Sequence, residues 1–325
     1  MKRAFVTGAS GLLGRALVDN LINNGFEVIA LIHNTKIKDR ASLTIIRGDI
    51  TKRESFARYL EGVNVIFHLA GVVTDWAPRG LYYDVHVNGT KNLISAAVEH
   101  RVKNFIYVST IDIFAHEKYK IVDENTPFTH SQIPYRKSKL IAYNLILKEA
   151  SRGTIQPVIL CPSWIYGPGD KIFIAEIIKQ LKASQFVFIG NKHNYVPLVY
   201  TENLCKLMID LSKKDIEPSS GVFIVSDINI TWEQLIKVIC NKIEAQYPRV
   251  SLPYSLSYFV GTVMEFYGHL IKRERRPLLT RTAVETVGRS VEADATKISK
   301  FIGYKPIVSF ENGLEKTINS FISSR

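Results

Sequence analysis

The hydrophobic positions of the first half of the chain come in short runs that alternate with longer stretches of helical spacing. Ala4-Phe5-Val6 is an apolar run that enters glycines, and Leu12, Leu13, Ala16, Leu17 and Leu21 follow at helical intervals until Gly25. The first pattern predicts a strand, the second an amphipathic helix with a glycine stop. Further runs at Glu27 to Ile32, Val65 to Leu69, Asn104 to Val108 and Pro157 to Cys161 read as strands, with helical patterns between them such as Asn92 to His100. Strands separated by crossover helices predict an α/β fold with a doubly wound parallel sheet, which places ligands at the strand C-termini.

After Pro168 the regularity fades. Helical stretches near 171–183 and 201–213 precede an apolar run, Val222 to Val225, that can return to the sheet. From Thr231 helices predominate, through a long one at 252–271 to a polar one near 311–323. The expected organisation is a Rossmann domain over 1–167 with returning segments near 198–228, and a smaller, mainly helical substrate-side domain over 168–325 interleaved with it.

With 325 residues the chain exceeds the size at which one hydrophobic core stops growing, so one large or two smaller cores are expected. At 46% hydrophobic and 22% charged residues it has the composition of a globular protein, which excludes a disordered chain. Cys161, Cys205 and Cys240 form no CxxC pair or His/Cys cluster, so neither a disulfide framework nor a metal site is expected and a cytoplasmic location fits. The start, MKRAFVTGASG, lacks a signal-peptide core. The net charge of +12 favours an anionic partner: a phosphorylated cofactor, nucleic acid or an acidic membrane. Without a basic stripe interleaved with aromatics, nucleic acid is not expected.

Three glycines stand at intervals of three in Thr7-Gly8-Ala9-Ser10-Gly11-Leu12-Leu13-Gly14, between the first strand and the first helix. Taken alone the triplet is equally a structural turn; its position favours a dinucleotide. Gly8 turns tightly, Gly11 lets the backbone approach a pyrophosphate, Gly14 allows close helix–strand packing, and the helix N-terminus supplies amide donors. The second strand runs into His33-Asn34-Thr35-Lys36-Ile37-Lys38, without the acid that would bind an adenosine ribose. His33, Lys36 and Lys38 attract a 2′-phosphate, so NADP(H) is favoured while NAD(H) stays open; a solvated basic loop is the alternative. Asp49 accepts from an adenine amine with Ile50 against the ring, or else caps a helix starting near Thr51.

Tyr135 and Lys139 are four residues apart at the start of a helical pattern that continues through Leu140, Tyr143, Leu147 and Ala150. That spacing puts both on one helix face, where an ammonium lowers a tyrosine pKa from its usual value near 10 and fits the phenol for acid/base work on a carbonyl or hydroxyl. YxxxK alone is common by chance as an exposed pair. The strand Asn104 to Val108, however, ends in Ser109-Thr110, presenting hydroxyls at the sheet edge where a reacting oxygen would lie.

Together, TGxxGxxG at Thr7 to Gly14, Gly48-Asp49-Ile50, His68-Leu69-Ala70-Gly71, Asn88-Gly89-Thr90, Ser109-Thr110, Tyr135xxxLys139 and Pro162-Ser163-Trp164-Ile165-Tyr166-Gly167-Pro168-Gly169 resemble the extended short-chain dehydrogenase/reductases, in family order. Val199-Tyr200-Thr201-Glu202-Asn203-Leu204 and Ile302-Gly303-Tyr304-Lys305-Pro306 extend the resemblance over nearly the whole chain. It is closer to the 3β-hydroxysteroid dehydrogenase and dihydroflavonol 4-reductase-like branch than to sugar-nucleotide epimerases. The resemblance implies that Tyr135 is the catalytic acid/base, that Lys139 lowers its pKa and binds the nicotinamide ribose, and that Thr110 bonds the substrate oxygen. It also implies that Gly8, Ser10, Gly11, Leu12, Leu13 and Gly14 hold the pyrophosphate and that His33 and Asn34 lie at the adenosine ribose. Asp49 and Ile50 would then contact adenine, Leu69, Ala70 and Gly71 the ribose side, and Pro162 and Ser163 the nicotinamide end. Cys161 and His68 are read as buried strand residues.

In the stretch 252–271, Leu252, Leu256, Val260, Val263, Tyr267 and Leu270 share one helical face, and Lys272-Arg273-Glu274-Arg275-Arg276 follow. The plainer expectation is that this stripe packs on the core. The alternatives are peripheral membrane contact through 252–276 and a mouth for a lipid-like substrate. Arg275 and Arg276 are alternatively phosphate ligands. The favoured activity is an oxidoreductase acting on a ketone or secondary alcohol of a mostly apolar small molecule, with a homodimer implied by the family. A sugar-nucleotide epimerase on tightly held NAD and a non-catalytic dinucleotide sensor are the other readings.

Overall fold

The computed structural model describes residues 1–35, 37–214, 216, 221–271 and 276–323. Seven strands, β1 (Lys2–Thr7), β2 (Phe26–Ile32), β3 (Leu43–Arg47), β4 (Val65–His68), β5 (Asn104–Val108), β6 (Gln156–Pro162) and β7 (Val222–Val225), form one sheet in the order β7-β6-β5-β4-β1-β2-β3. Every neighbouring pair is parallel. The order runs outward one way from β1 to β3 and the other way from β4 to β7, so the loops leaving β1 and β4 diverge and open a crevice at the C-terminal edge.

The helices are α1 (Leu12–Asn23), α2 (Arg79–Tyr83), α3 (Gly89–Glu99), α4 (Pro134–Ser151), α5 (Ile174–Lys182), α6 (Thr201–Leu211), α7 (Trp232–Ile243), α8 (Tyr254–Leu270), α9 (Arg281–Gly288), α10 (Thr296–Ile302) and α11 (Phe310–Ser323). Strand side chains alternate between two cores. Phe5, Ile29, Ile66 and Phe105 meet Leu93 and Ala97 of α3 and Ala142 and Ile146 of α4. On the other face Val6, Val28, Val65 and Ile106 meet Leu17 and Leu21 of α1 and Leu204 and Met208 of α6. Burial on both faces is why these strands read as continuous apolar runs.

The chain after β6 builds a third core that the sequence reading missed. Trp164–Tyr166, Tyr195–Tyr200 and Ile228–Thr231 make a three-stranded sheet covered by α5, α7 and α11, with Phe173, Ile177, Leu235, Ile239 and Leu314 between them. Strands of three to six residues, one holding Pro197, carry too little pattern to be read locally. The Tyr200-to-Asn203 and Gly303-Tyr304 stretches join this core to the large sheet. Asp227 accepts from the Tyr200 amide and Asn203 Nδ2, each at 2.8 Å, and from the Tyr304 hydroxyl. Asn203 Oδ1 accepts from the amides of Ile307 and Val308.

The expectation that the apolar stripe of 252–271 packs on the core is overturned. Leu256, Val260, Val263, Tyr267 and Leu270 are 39–68% exposed, as are Phe259 at 66% and Phe266 at 71%. The buried face of α8 is instead Ser257, Gly261 and Gly268. A Cβ on Gly261 would lie 3.2 Å from the Thr280 carbonyl carbon, and one on Gly268 3.1 Å from the Trp76 ring. The helix approaches its neighbours through its smallest residues, which turns the large ones outward. Arg276 pairs with Asp75, while Lys36 and the run Lys272 to Arg275 lie outside the described residues. Among the described residues no helix is long and apolar enough to cross a membrane.

Candidate active site

The glycine turn joins β1 to α1 at the C-terminal edge. Gly8 adopts a φ of +68°, in the left-handed region, and a Cβ there would lie 2.7 Å from the backbone of Leu69 and Ala70. At Gly14 a Cβ would stand 2.1 Å from the Gly8 carbonyl oxygen. Turn, helix and the Leu69-Ala70 segment are thus in backbone contact, with no room for side chains between them. Gly11 precedes the first turn of α1, Leu12-Leu13-Gly14-Arg15, whose amides and positive dipole end carry no acidic neighbour in that turn. Arg15 Nε donates to the Ser10 carbonyl at 2.9 Å. The cradle fits the pyrophosphate of a dinucleotide: a helix N-terminus without an acidic neighbour, bare backbone at Gly11 and a nearby cation, Arg15.

Around the adenosine end, His33 and Asn34 follow β2 and are exposed. His33 Nε2 lies 3.8 Å from Asp49 Oδ2. Asp49 Oδ1 accepts from the Thr51 amide at 2.9 Å and the Thr51 hydroxyl at 2.8 Å. Burial works against the Asp49 carboxylate, but the Thr51 bonds and the His33 and Lys52 charges hold it below its ordinary range. Ile50 is 7% exposed and packs under Gly89, where a Cβ would meet it at 2.8 Å. Leu69 and Ala70 donate their amides to Thr7 Oγ1, each at 3.2 Å, and Gly71 is exposed beside them. Pro162 ends β6, and the Ser163 hydroxyl donates to Ser226 Oγ at 3.2 Å.

Pro134 starts α4, and its fixed φ suits the first helical position, so Tyr135 and Lys139 sit in the first two turns. The Tyr135 pKa is not lowered as the spacing suggests. Lys139 is 4% exposed and its ammonium donates to the Val108 carbonyl at 3.0 Å, above the Tyr107 ring. Burial lowers its pKa from 10.5 to about 8. Burial and then the charge of Asp112 push the Tyr135 phenol well above its ordinary value, opposed by its hydrogen bond with Thr110 and by the Arg136 charge. The phenol therefore stays protonated at neutral pH, as an ordinary tyrosine does. Asp112 Oδ2 accepts from the Thr110 hydroxyl at 3.2 Å, and its Oδ1 lies 3.2 Å from His116 Nε2. Burial raises the Asp112 pKa, but His116, Arg136 and Thr110 outweigh it and bring it to about 2. Arg136, 2% exposed, ties this wall to α9 through Glu285 at 2.9 Å.

Two buried histidines lie under the site. His68 Nδ1 meets the Thr7 hydroxyl at 2.8 Å and its Nε2 meets Thr90 Oγ1 at 2.9 Å. Burial and the Lys139 charge lower its pKa to about 3. His86, in a π-helical turn at Asp84–Asn88, is lowered to about 2 by burial, Lys139 and His68. Both are neutral across the working range. As expected, His68 and Cys161 are strand-buried.

The structure brings Gly8, Gly11, Gly14, Ala70, Gly71, Thr110, Tyr135, Lys139 and Ser163 to one sheet edge. It adds Thr7, His86, Asp112, Arg136 and Ser138, which the sequence reading did not single out. Ser138 lies inside the Tyr135-to-Lys139 motif and His86 just ahead of Asn88-Gly89-Thr90, so motif proximity was the available signal.

The family model for the NAD dependent epimerase/dehydratase family matches residues 4–225. A 2-alkyl-3-oxoalkanoate reductase of Shewanella oneidensis is 26% identical over 97% of this chain and 85% of its own. The decarboxylating sterol-4-alpha-carboxylate 3-dehydrogenase of Mus musculus is 24% identical over 98% and 91%. A 4-hydroxy-2-methyl-3-oxo-4-farnesyl-3,4-dihydroquinoline-1-oxide ketoreductase of Stigmatella aurantiaca is 24% identical over 96% and 95%. Among solved structures, UDP-glucose 4-epimerase of Thermotoga maritima superposes with a TM-score of 0.80 at 21% identity, covering 99% of each chain, a likeness of fold. The glycine cradle, the tyrosine–lysine helix and the match over more than half the chain together make this protein a member of the NAD dependent epimerase/dehydratase family, of the extended short-chain dehydrogenase/reductase type.

Proposed function

We propose that the protein is an NADP(H)-preferring reductase of a ketone on a mostly apolar small molecule. The observation that carries the reading is the placement of Tyr135 and Lys139 in the first turns of α4, with Thr110 following β5 at the same sheet edge. A dinucleotide held there would supply the hydride, from nicotinamide C4, that the carbonyl carbon takes up. Tyr135 donates its proton to the carbonyl oxygen as that oxygen gains charge, and is reprotonated from solvent. Thr110, its hydroxyl turned from Asp112, would donate a hydrogen bond to the same oxygen, and Lys139 would hold the nicotinamide ribose and offset negative charge. Gly8, Ser10, Gly11, Leu12, Leu13 and Gly14 hold the pyrophosphate. Leu69, Ala70 and Gly71 would flank the ribose, and Pro162 and Ser163 would wall the nicotinamide.

The preference for NADP(H) is supported by His33 and Asn34 standing where a ribose-binding acid would repel a 2′-phosphate. The nearest carboxylate, Asp49, is engaged by Thr51 and offset by His33. Apolar substrates are supported by the alkyl, farnesyl and sterol compounds named for the relatives. Fluorescence titration of nucleotide-free protein is expected to show exchangeable binding with NADPH tighter than NADH, followed by NADPH oxidation on apolar ketones. Stoichiometric NAD retained through purification, with no NADPH preference, overturns this reading in favour of a sugar-nucleotide epimerase.

The exposed face of α8 further supports contact with an anionic lipid surface. Phe259, Val263, Phe266, Tyr267 and Leu270 project from it, and in sequence the helix runs into Lys272-Arg273-Glu274-Arg275. Its C-terminal end stacks His269 on Trp76 at 4.3 Å, four residues past Val72 of the cofactor-side loop. Vesicles containing phosphatidylserine are expected to sediment the protein, and Phe266→Glu with Phe259→Glu to release it. Protein that stays in the supernatant as a homodimer broken by the same substitutions assigns the face to a second copy instead.

A further inference from the structure

His86 is 1% exposed and makes hydrogen bonds to two segments distant in sequence. The Val72 amide lies 2.9 Å from Nε2, and Ser138 Oγ lies 2.7 Å from Nδ1. An amide can only donate, so Nε2 carries the lone pair and Nδ1 the proton. Nδ1–H therefore donates to Ser138 Oγ, whose own proton goes to the Tyr135 carbonyl oxygen at 2.9 Å. The result is a directed chain from Val72 through His86 and Ser138 to Tyr135. One end is the segment that leaves β4 beside Gly71; the other is the first turn of α4, which carries the phenol. The same imidazole stands edge-on to the Tyr135 ring, with centroids 5.7 Å apart and planes at 77°. A Cβ on Gly71 would lie 3.2 Å from His86 Nε2 and 3.5 Å from Lys139 Nζ, so ring and ammonium lie together under that glycine. The π-helical turn at Asp84–Asn88, with its extra residue per turn, is what carries the imidazole here.

We infer that His86 is a positioning residue for hydride transfer, coupling the Gly71-Val72 segment to the catalytic helix through Ser138. The inference rests on the reductase reading above. A ring linked to both segments sets the distance between the nicotinamide side of the crevice and the Tyr135 phenol. A misplacement of the order of 1 Å there costs about a hundredfold in rate. The imidazole touches neither reacting atom in this role; Ser138 relays its effect.

The test compares His86→Phe, His86→Gln, Ser138→Ala and the His86→Phe/Ser138→Ala double variant. Steady-state kinetics of ketone reduction are joined by amide hydrogen exchange on the full chain. His86→Phe keeps the ring and removes both nitrogens; Gln restores one acceptor and one donor. His86→Phe and Ser138→Ala are each expected to lower kcat about tenfold or more, while KM for the dinucleotide moves less than about threefold. The double variant falls no further than the worse single one, because both break one chain. Gln recovers much of the loss. Ser138→Ala speeds exchange at the Val72 amide, which a purely local role for Ser138 leaves alone.

Multiplicative losses in the double variant overturn the inference. So does unchanged Val72 exchange in Ser138→Ala, a readout that needs no substrate and stands even where His86→Phe fails to fold. An inert exchange result beside normal NADPH binding sinks this inference alone. Absent NADPH and NADH binding by the unaltered protein sinks the reductase reading, while exchange still decides whether the chain couples the two segments.

Discussion

Tyr135→Phe is expected to lower kcat for ketone reduction by about 10³-fold, with dinucleotide affinity unchanged within about threefold. The substitution removes one hydroxyl and keeps the ring, so the edge-on contact with His86 persists and the helix start is undisturbed. What is lost is the proton. The phenol is protonated at neutral pH, as an ordinary tyrosine is, and burial and the Asp112 charge hold it so. Asp112, near 2, is ionised and accepts rather than donates. Full activity in this variant, with binding intact, removes Tyr135 from the chemistry.

The unaltered enzyme is expected to show a companion pH dependence. Burial brings Lys139 down from 10.5 to about 8, so its ammonium is present below pH 8 and lost above it. The rate of reduction then falls as pH rises through about 8, whereas His68 and His86, at about 3 and 2, add no transition between pH 5 and 8. An alkaline midpoint near the ordinary lysine value overturns the lowering of Lys139 by burial, and a rate that does not fall on the alkaline side assigns Lys139 no charged role.

The parts of this molecule that were legible in its sequence are those whose geometry is local. The Gly8, Gly11 and Gly14 spacing encodes a strand–turn–helix junction because all contacts that need glycine lie within a few residues or on the adjacent strand. The spacing of Tyr135 and Lys139 encodes a shared helix face. It does not encode the side-chain endpoint: Lys139 reaches the Val108 carbonyl, a partner 31 residues away that only the β5–α4 packing supplies. The role of His86 was hidden for the same reason, although its place just ahead of Asn88-Gly89-Thr90 marked the neighbourhood. Its partners lie 14 and 52 residues away, and a lone histidine has no spacing to betray it. The orientation of α8 failed differently. The spacing picked out an apolar stripe but not which face packs, and the usable mark was the small residues Ser257, Gly261 and Gly268 on the other side.

The backbone contacts of the glycine turn set the other large expected effect, on Gly14. An alanine methyl there would stand 2.1 Å from the Gly8 carbonyl oxygen and 2.7 Å from the Ala9 Cα, both backbone atoms that no rotamer change relieves. Either α1 tilts off β1 or the turn shifts, and both movements displace the helix amides from a pyrophosphate. Gly14→Ala should weaken dinucleotide binding at least about a hundredfold, about 2.7 kcal/mol, and overpacking of this kind typically costs a further 1–3 kcal/mol of stability, so Tm drops by several degrees. Gly11→Ala is the control. Its methyl would meet the Gly8 carbonyl oxygen at 3.2 Å from an exposed position, a contact a small adjustment absorbs. That variant should lose affinity, because the methyl stands where the pyrophosphate approaches, while its Tm stays near the unaltered value. Calorimetric Tm measured beside NADPH titration separates the two. Equal Tm losses would mean that Gly11 also serves packing, and unaltered affinity in Gly14→Ala would mean that the turn does not hold the dinucleotide.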